Sequence, residues 1–185
     1  MMYLSKGLPV QELGGEFRVS HCGKIFALGP EMAGLWRNAR LAPKEVPAGK
    51  ESYIQRLEQS SLAAITGEQG DLAHYRLLSD CIICPKHGLV VKPVRPGRDA
   101  RIWLWIKQAG LRLTASELIR LEEQSTKPVP ALLGEQGRQK LTERIYSKET
   151  IWDGVLESEM ERSPARDAIV VSLLRLLRAG RLFLI

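Results

Sequence analysis

Residues 163–185, SPARDAIVVSLLRLLRAGRLFLI, predict the most sharply bounded element of the chain, a C-terminal helix. Ser163 is a suitable helix cap, and Pro164 fits the first helical position because no helical partner is needed for its missing N–H. Gly180 is expected to end the helix, and Arg181–Ile185 to return as a strand. The apolar residues between these signals form one broad helical face, namely Ile169, Val170, Leu173, Leu174, Leu176 and Leu177.

The first half of the chain predicts a hairpin followed by two helices. Residues 17–27 alternate between apolar and polar types around a turn-like segment, which favours a β-hairpin. Pro30 then starts a helix, and residues 53–57 carry apolar side chains at helical spacing for a second one. The strand Leu62–Thr66, the glycine turn at 67–71 and a second strand at Leu72–Ile83 are interpreted as a β wing after that helix.

A basic segment with two prolines and a glycine is expected to separate two modules. The predicted organisation is an N-terminal module at 1–91, a linker at 92–98 and a C-terminal module at 99–185. The fold class expected is α+β, with tandem winged-helix-like modules built from helices and small antiparallel β-hairpins.

Within the C-terminal module, further local signals predict helices. Thr114 is a plausible N-cap. The apolar run Ile102–Ile106 fits either a buried strand or the start of a helix. Two more helices are expected near 138–146 and 150–160.

Composition and charge narrow the class of protein. The 185 residues carry a net charge of +6, with a pI of about 9.4, which favours anionic partners such as nucleic acid. Three cysteines do not suit a secreted disulfide framework, and no apolar run is long enough for a membrane span. The N-terminus lacks the apolar core of a signal peptide, so a cytoplasmic location without membrane contact is expected.

The C-terminal run Thr150–Met160, followed by 163–185, resembles a winged helix-turn-helix, and the resemblance is clearest over 138–185. It implies a transcriptional regulator that binds double-stranded DNA through a recognition helix in the major groove, and a homodimer is compatible with it. The residues that the resemblance and the basic linker offer for DNA are Ser172, Arg175 and Arg178 on the last helix, Ser52, Gln55, Arg56 and Gln59 in the first module, and Arg95 and Arg98 in the linker.

A second interpretation is a peptide- or protein-binding adaptor without DNA binding. The hairpin and helix between Phe17 and Trp36 look like the leader-peptide recognition domains of peptide-modifying pathways, which pair a peptide strand with a sheet edge. The acidic segment Glu68–Asp71 fits this interpretation better than a DNA-contacting wing.

The cysteines allow one metal hypothesis. Cys81 and Cys84 have the spacing of half a zinc site, with His87 and Cys22 as further ligands. If residues 72–84 form a strand, the two cysteines point to opposite faces, so burial as small apolar residues is the main interpretation and no cofactor is expected. No catalytic motif is visible, an enzyme is not expected, and a His21–Cys22 nucleophile pair is disfavoured because neighbours on a strand point apart.

Overall fold

The structure, a computed structural model, describes residues 1–13, 16–86, 93–146 and 154–185. These ranges contain both helices and short antiparallel strands, so the expected mixture of helices and small antiparallel sheets is confirmed. The finer arrangement as tandem winged-helix modules stays a prediction.

Within the described ranges, the strands form three small antiparallel sheets. Their order is β5-β1-β6 in the first, β2-β3-β4 in the second and β7-β8 in the third. The strand bounds are β1 (Met2–Ser5), β2 (Leu8–Leu13), β3 (Glu16–His21), β4 (Lys24–Leu28), β5 (Lys44–Glu45), β6 (Ala63–Thr66), β7 (Ile83–Pro85) and β8 (Leu182–Leu184).

Most of the helices belong to the second half of the chain. Their bounds are α1 (Pro30–Asn38), α2 (Glu51–Gln59), α3 (Gly70–Ser79), α4 (Arg98–Gln108), α5 (Ala115–Glu123), α6 (Gly134–Ile145), α7 (Val155–Met160) and α8 (Arg166–Arg178), with a short 3-10 helix at Pro130–Leu132 before α6. None of the helices in the described ranges combines the length and apolarity that a membrane span requires.

The predicted hairpin is confirmed, and its turn gives Cys22 a positive φ, which is uncommon for a residue other than glycine. His21 pairs with Lys24, which leaves Cys22 and Gly23 as a two-residue connection between β3 and β4. Their φ angles are 48° and 78°. Positive φ at both central positions is typical of a type I′ turn, whose twist matches that of paired strands.

The residues that the structure describes form two hydrophobic cores. The N-terminal core joins β1, β3, α1 and α2 around the fully buried Trp36, whose indole nitrogen donates to the Lys6 carbonyl at 2.9 Å. The C-terminal core contains α3 to α8 together with β7 and β8, and residues of α3 such as Tyr75 and Leu77 pack into it. The first residue of α4, Arg98, is the last residue of the expected linker, and residues 87–92 lie outside the described ranges.

The first strand of the expected β wing is confirmed as β6, but the second is wrong, because Gly70–Ser79 forms helix α3. Its buried residues include Ala73, Tyr75 and Leu77, whose alternate spacing imitates a half-buried strand. The segment 70–79 contains no β-branched residue, and its Ala and Leu residues favour a helix. Packing of Leu78 beside Leu77 in the C-terminal core is compatible with a helix and breaks the strand alternation.

The other expected helix boundaries have mixed outcomes. Thr114 is the N-cap of α5 as predicted: its Oγ1 accepts from the Glu117 amide at 3.3 Å, and the Glu117 carboxylate accepts from the Thr114 amide at 2.6 Å. The run Ile102–Ile106 is helical, within α4. Helices α6 and α7 confirm the two helices expected near 138–146 and 150–160, although residues 147–153 lie outside the described ranges.

The C-terminal helix begins later than predicted. Ser163 does not cap α8, and Pro164 is not its first residue, because the helix starts at Arg166. The Ser163 hydroxyl instead accepts from the Ala165 amide at 3.2 Å, in the turn before the helix. The predicted end is confirmed, since Gly180 has a φ of 66° and β8 follows, paired with β7.

Candidate nucleic-acid interface

Helix α2 presents the first set of expected DNA contacts together. Ile54 and Leu57 are buried in the N-terminal core, which turns the opposite face of the helix outward. That exposed face carries Ser52, Gln55, Arg56 and Gln59. Glu51 and Glu58 are exposed on the same helix, so the net charge of α2 is negative.

Helix α8 is more deeply buried than a recognition helix would be. It packs against α3, α4 and α5 at the centre of the C-terminal core. Between Arg166 and Arg178, the exposed side chains follow a narrow stripe formed by Asp167, Val171, Arg175 and Arg178. A helix that inserts into the major groove needs a wider free face than this stripe.

The expected exposed position of Ser172 is wrong, because the residue faces α4 and is 1% exposed. Its hydroxyl donates to one carboxylate oxygen of Asp99 at 2.6 Å, and Arg175 donates to the other at 2.9 Å. Asp99 itself is 6% exposed. Two of the three expected contacts on α8 therefore hold α8 against α4, and Arg178 is the one that stays exposed with no ion pair among the described residues.

The expected basic linker is partly neutralised. Arg95 is exposed. Arg98 forms an ion pair with Glu122 at 3.1 Å, and Arg101 reaches the same carboxylate oxygen at 2.7 Å. These pairs connect the start of α4 to α5, so they leave less positive charge for an external anion.

Sequence reasoning did not single out the exposed face of helix α6 as a candidate surface. Its buried residues, Gly137, Leu141 and Ile145, lie four positions apart and form a single stripe. The rest of the helix is exposed and includes three cations, Arg138, Lys140 and Arg144, and two glutamines, Gln136 and Gln139. The signal was present in the sequence, because a twelve-residue helix with so few apolar positions has to lie at the surface.

The charge on α6 is mixed but predominantly positive at its free face. Lys140 and Arg144 form no ion pair with a carboxylate in the part of the chain that the structure describes. Glu143 accepts a hydrogen bond from Gln139 at 2.9 Å, and Glu135 lies in the first turn, where a negative charge favours the helix dipole. Helix α5, capped by Thr114, packs against α6 from the inside.

The expected zinc ligands do not come together as a set in the described ranges. Cys81 and Cys84 are buried, Cys22 is exposed, and His87 lies outside the described residues. Among the residues described, no three His, Cys, Asp or Glu side chains form a group that could hold a metal. Burial raises the pKa of Cys81 to about 12, whereas a zinc ligand has to be a thiolate.

His21 and Cys22 are closer than expected. The Cys22 sulfur lies 3.8 Å from His21 Nε2, because Cys22 belongs to the type I′ turn rather than to the strand. Burial, with a smaller contribution from the Lys6 charge, lowers the pKa of His21. Burial raises the pKa of the neighbouring Cys84, and the positive charge of Arg112 partly offsets that effect. A neutral imidazole at this turn supplies no positive charge to activate Cys22.

In comparisons with known proteins, no family model matches the chain. Neither a curated protein nor a solved structure matches it either. The winged-helix resemblance therefore stays a prediction from the sequence.

Proposed function

We propose that this protein binds double-stranded DNA through helix α6, as a transcriptional regulator would. The observation that supports the proposal is the free face of α6, which combines Arg138, Lys140 and Arg144 with two glutamines. The twelve residues of α6 span about 18 Å, and a helix with its side chains is about as wide as the major groove. Arginine and lysine suit phosphate and guanine, and glutamine suits adenine.

Three single substitutions test which helix carries the interface. Arg144→Gln on α6, Arg178→Gln on α8 and Arg56→Gln on α2 each remove one exposed positive charge from a different helix. Their affinities for a random-sequence duplex are compared with that of the wild type by fluorescence anisotropy across a salt titration. A lost phosphate contact reduces the slope of log affinity against log salt by about 0.9.

We expect Arg144→Gln to weaken binding and reduce the salt slope, while the other two variants bind like the wild type. A reduced slope only for Arg178→Gln would move the interface back to α8, the helix indicated by the winged-helix resemblance. Absence of wild-type binding at low salt would remove the DNA proposal, because the net charge of +6 would then form no binding surface.

A second candidate function, peptide binding, is favoured by the outer edge of β4, which pairs with no strand in the described ranges. Strand β4 is the last strand of its sheet, and Ile25 on it is 63% exposed. His21 and Lys24 close a two-residue hairpin as a hydrogen-bonded pair, so the alternation of an antiparallel ladder points the backbone groups of Ile25 and Ala27 away from β3. An extended peptide could add to this edge as a fourth strand.

The peptide candidate is tested at a single backbone amide. Peptides are first selected from a random displayed library on the full chain, and their affinities are then measured for Ala27→Pro and Ala27→Thr. Proline removes the outward N–H, whereas threonine keeps it. Loss of binding only in the proline variant supports strand addition; equal binding by both variants, or a library that yields no peptide, removes it.

A further inference from the structure

A groove beside the start of α6 gathers three cations, of which the proposed DNA-binding face of α6 uses only Arg138. Its volume is about 510 Å³, and its lining residues are Ile106, Lys107, Gly110, Leu111, Arg112 and Arg138. They come from the end of α4, the loop that follows it and the first half of α6. We call this feature the cation groove.

Among the described residues, the lining of the cation groove includes three positively charged side chains and no carboxylate. Lys107, Arg112 and Arg138 are all exposed. None of the three forms an ion pair within the ranges that the structure describes, whereas Arg98, Arg101 and Arg175 on neighbouring surfaces are paired. Three cations converging on one concave site repel one another, and an anion between them relieves that repulsion.

One of the cations is already held in position. Arg138 Nε donates to the Gly110 carbonyl at 3.0 Å, which fixes one edge of the guanidinium group. The two terminal nitrogens are left to donate to an oxyanion, and a planar guanidinium matches two oxygens of a phosphate group. Holding the group before binding reduces the conformational entropy lost when the ligand binds.

The backbone around Gly110 keeps the groove in shape. Gly110 has a φ of 74°, and a Cβ atom built on it would lie 2.3 Å from the Gly134 carbonyl oxygen. The loop after α4 is therefore in direct backbone contact with the start of α6. An adjoining cleft is also lined by Lys107 and Gly110, but its lining includes the carboxylate of Glu135. The lining of the cation groove, with Arg112 and Arg138, includes no carboxylate among the described residues, so its positive charge is less compensated.

We propose that the cation groove binds a phosphate group. Charge, the number of donors and the held guanidinium all favour a compact oxyanion with more than one charged oxygen over a single carboxylate. A phosphate of a nucleic-acid strand and a phosphate of a free small molecule offer the same chemistry. The site goes beyond the proposed function, because Lys107 and Arg112 do not belong to α6.

Inorganic pyrophosphate is the first probe, titrated into the full chain at low ionic strength by isothermal calorimetry. We expect saturable binding, weakened about tenfold by Lys107→Gln and by Arg138→Gln, since a hydrogen bond to a charged group contributes at least that factor. Lys44→Gln, on the exposed strand β5 of the N-terminal sheet, is the matched control and should bind like the wild type. Circular dichroism of each variant checks that the fold is retained.

Two outcomes would overturn the phosphate site. The first is absence of saturable pyrophosphate binding by the wild type. The second is pyrophosphate binding by Lys107→Gln and Arg138→Gln that is as strong as that of the wild type. A loss of binding in Lys44→Gln as large as the loss in the two groove variants would have the same meaning. Neither outcome depends on whether the protein binds DNA, so failure of the groove and failure of the proposed function are distinguished.

The source of the phosphate is identified with Lys107→Gln and the random-sequence duplex. If this variant loses pyrophosphate binding and its salt slope for duplex falls by about 0.9, the groove holds a phosphate of the nucleic-acid strand. If it loses pyrophosphate binding while duplex binding is unchanged, the groove holds the phosphate of a free small molecule. Both results support a phosphate site.

Discussion

Replacing Asp99 with alanine should destabilise the protein through one buried connection between α4 and α8. The Asp99 carboxylate accepts from Ser172 at 2.6 Å and from Arg175 at 2.9 Å. Removal of the carboxylate leaves the Ser172 hydroxyl without its acceptor in a position that is 1% exposed. Arg175, whose side chain is 44% exposed, can turn to water.

The expected loss follows from these different exposures. A hydrogen bond to a charged group contributes about 1.5–3 kcal/mol, and that contribution applies to the buried Ser172 hydroxyl. The half-exposed pair with Arg175 adds at most about 1 kcal/mol because water screens it. The free energy of unfolding should therefore fall by about 2–4 kcal/mol, which lowers Tm by roughly 5–15 °C for a chain of this size.

Urea unfolding and calorimetry of Asp99→Ala measure this loss, with Asp167→Ala as the matched control. Asp167 lies on α8 and pairs with Arg166, but its side chain is 53% exposed, so its loss should remain below about 1 kcal/mol. A double-mutant cycle between Asp99→Ala and Ser172→Ala should give a coupling energy above about 1 kcal/mol. If Asp99→Ala costs no more than Asp167→Ala, or if the coupling is near zero, the reasoning from burial is refuted.

Three further predictions concern local structure. Gly110→Ala should lower the free energy of unfolding by about 2 kcal/mol or more, because its methyl group would overlap the Gly134 carbonyl; an unchanged melting temperature would contradict this. Burial raises the pKa of Cys81 to about 12, whereas a thiol in the unfolded chain has a pKa of about 8.5. The contribution of the buried neutral thiol to the free energy of unfolding is therefore complete below a pH of about 8.5 and is lost as the pH rises from there towards the folded-state pKa. Between pH 9 and 11, the free energy of unfolding measured with urea should therefore fall more steeply in the wild type than in Cys81→Ala, by about 1.4 kcal/mol per pH unit. Parallel curves for the two proteins would refute the assignment. Thr114→Ala should cost about 1 kcal/mol by removing the α5 cap, whereas Thr114→Ser should cost less because its hydroxyl still accepts from the Glu117 amide; equal losses in urea unfolding would rule out the cap.

The candidate site shows where sequence reasoning succeeds and where it fails. The exposed face of α2 was placed correctly, because Ile54 and Leu57 alone show which side of the helix is buried. The polar stripe of α8 was not, because Ser172 faces another helix and not the solvent. A helical wheel separates polar from apolar residues, but it cannot show that a polar residue has a buried partner 73 positions away.

The sequence by itself determined the elements whose signals are local. The hairpin around Cys22 and Gly23, the capping box at Thr114 and the end of α8 at Gly180 each depend on hydrogen bonds and φ angles within a few residues. These preferences act before any distant contact forms, which is why they are visible in the amino-acid order.

Tertiary structure decided which surfaces are free. Ala73, Tyr75 and Leu77 are spaced like the buried residues of a strand but lie on a helix, because helix propensity and packing into the C-terminal core outweigh that spacing. Helix α8 is apolar enough to become the centre of that core, and α6, with a single buried stripe, is left at the surface. Whether a face of a helix is exposed depends on which other elements pack against it, so exposure is decided only when the whole chain has folded.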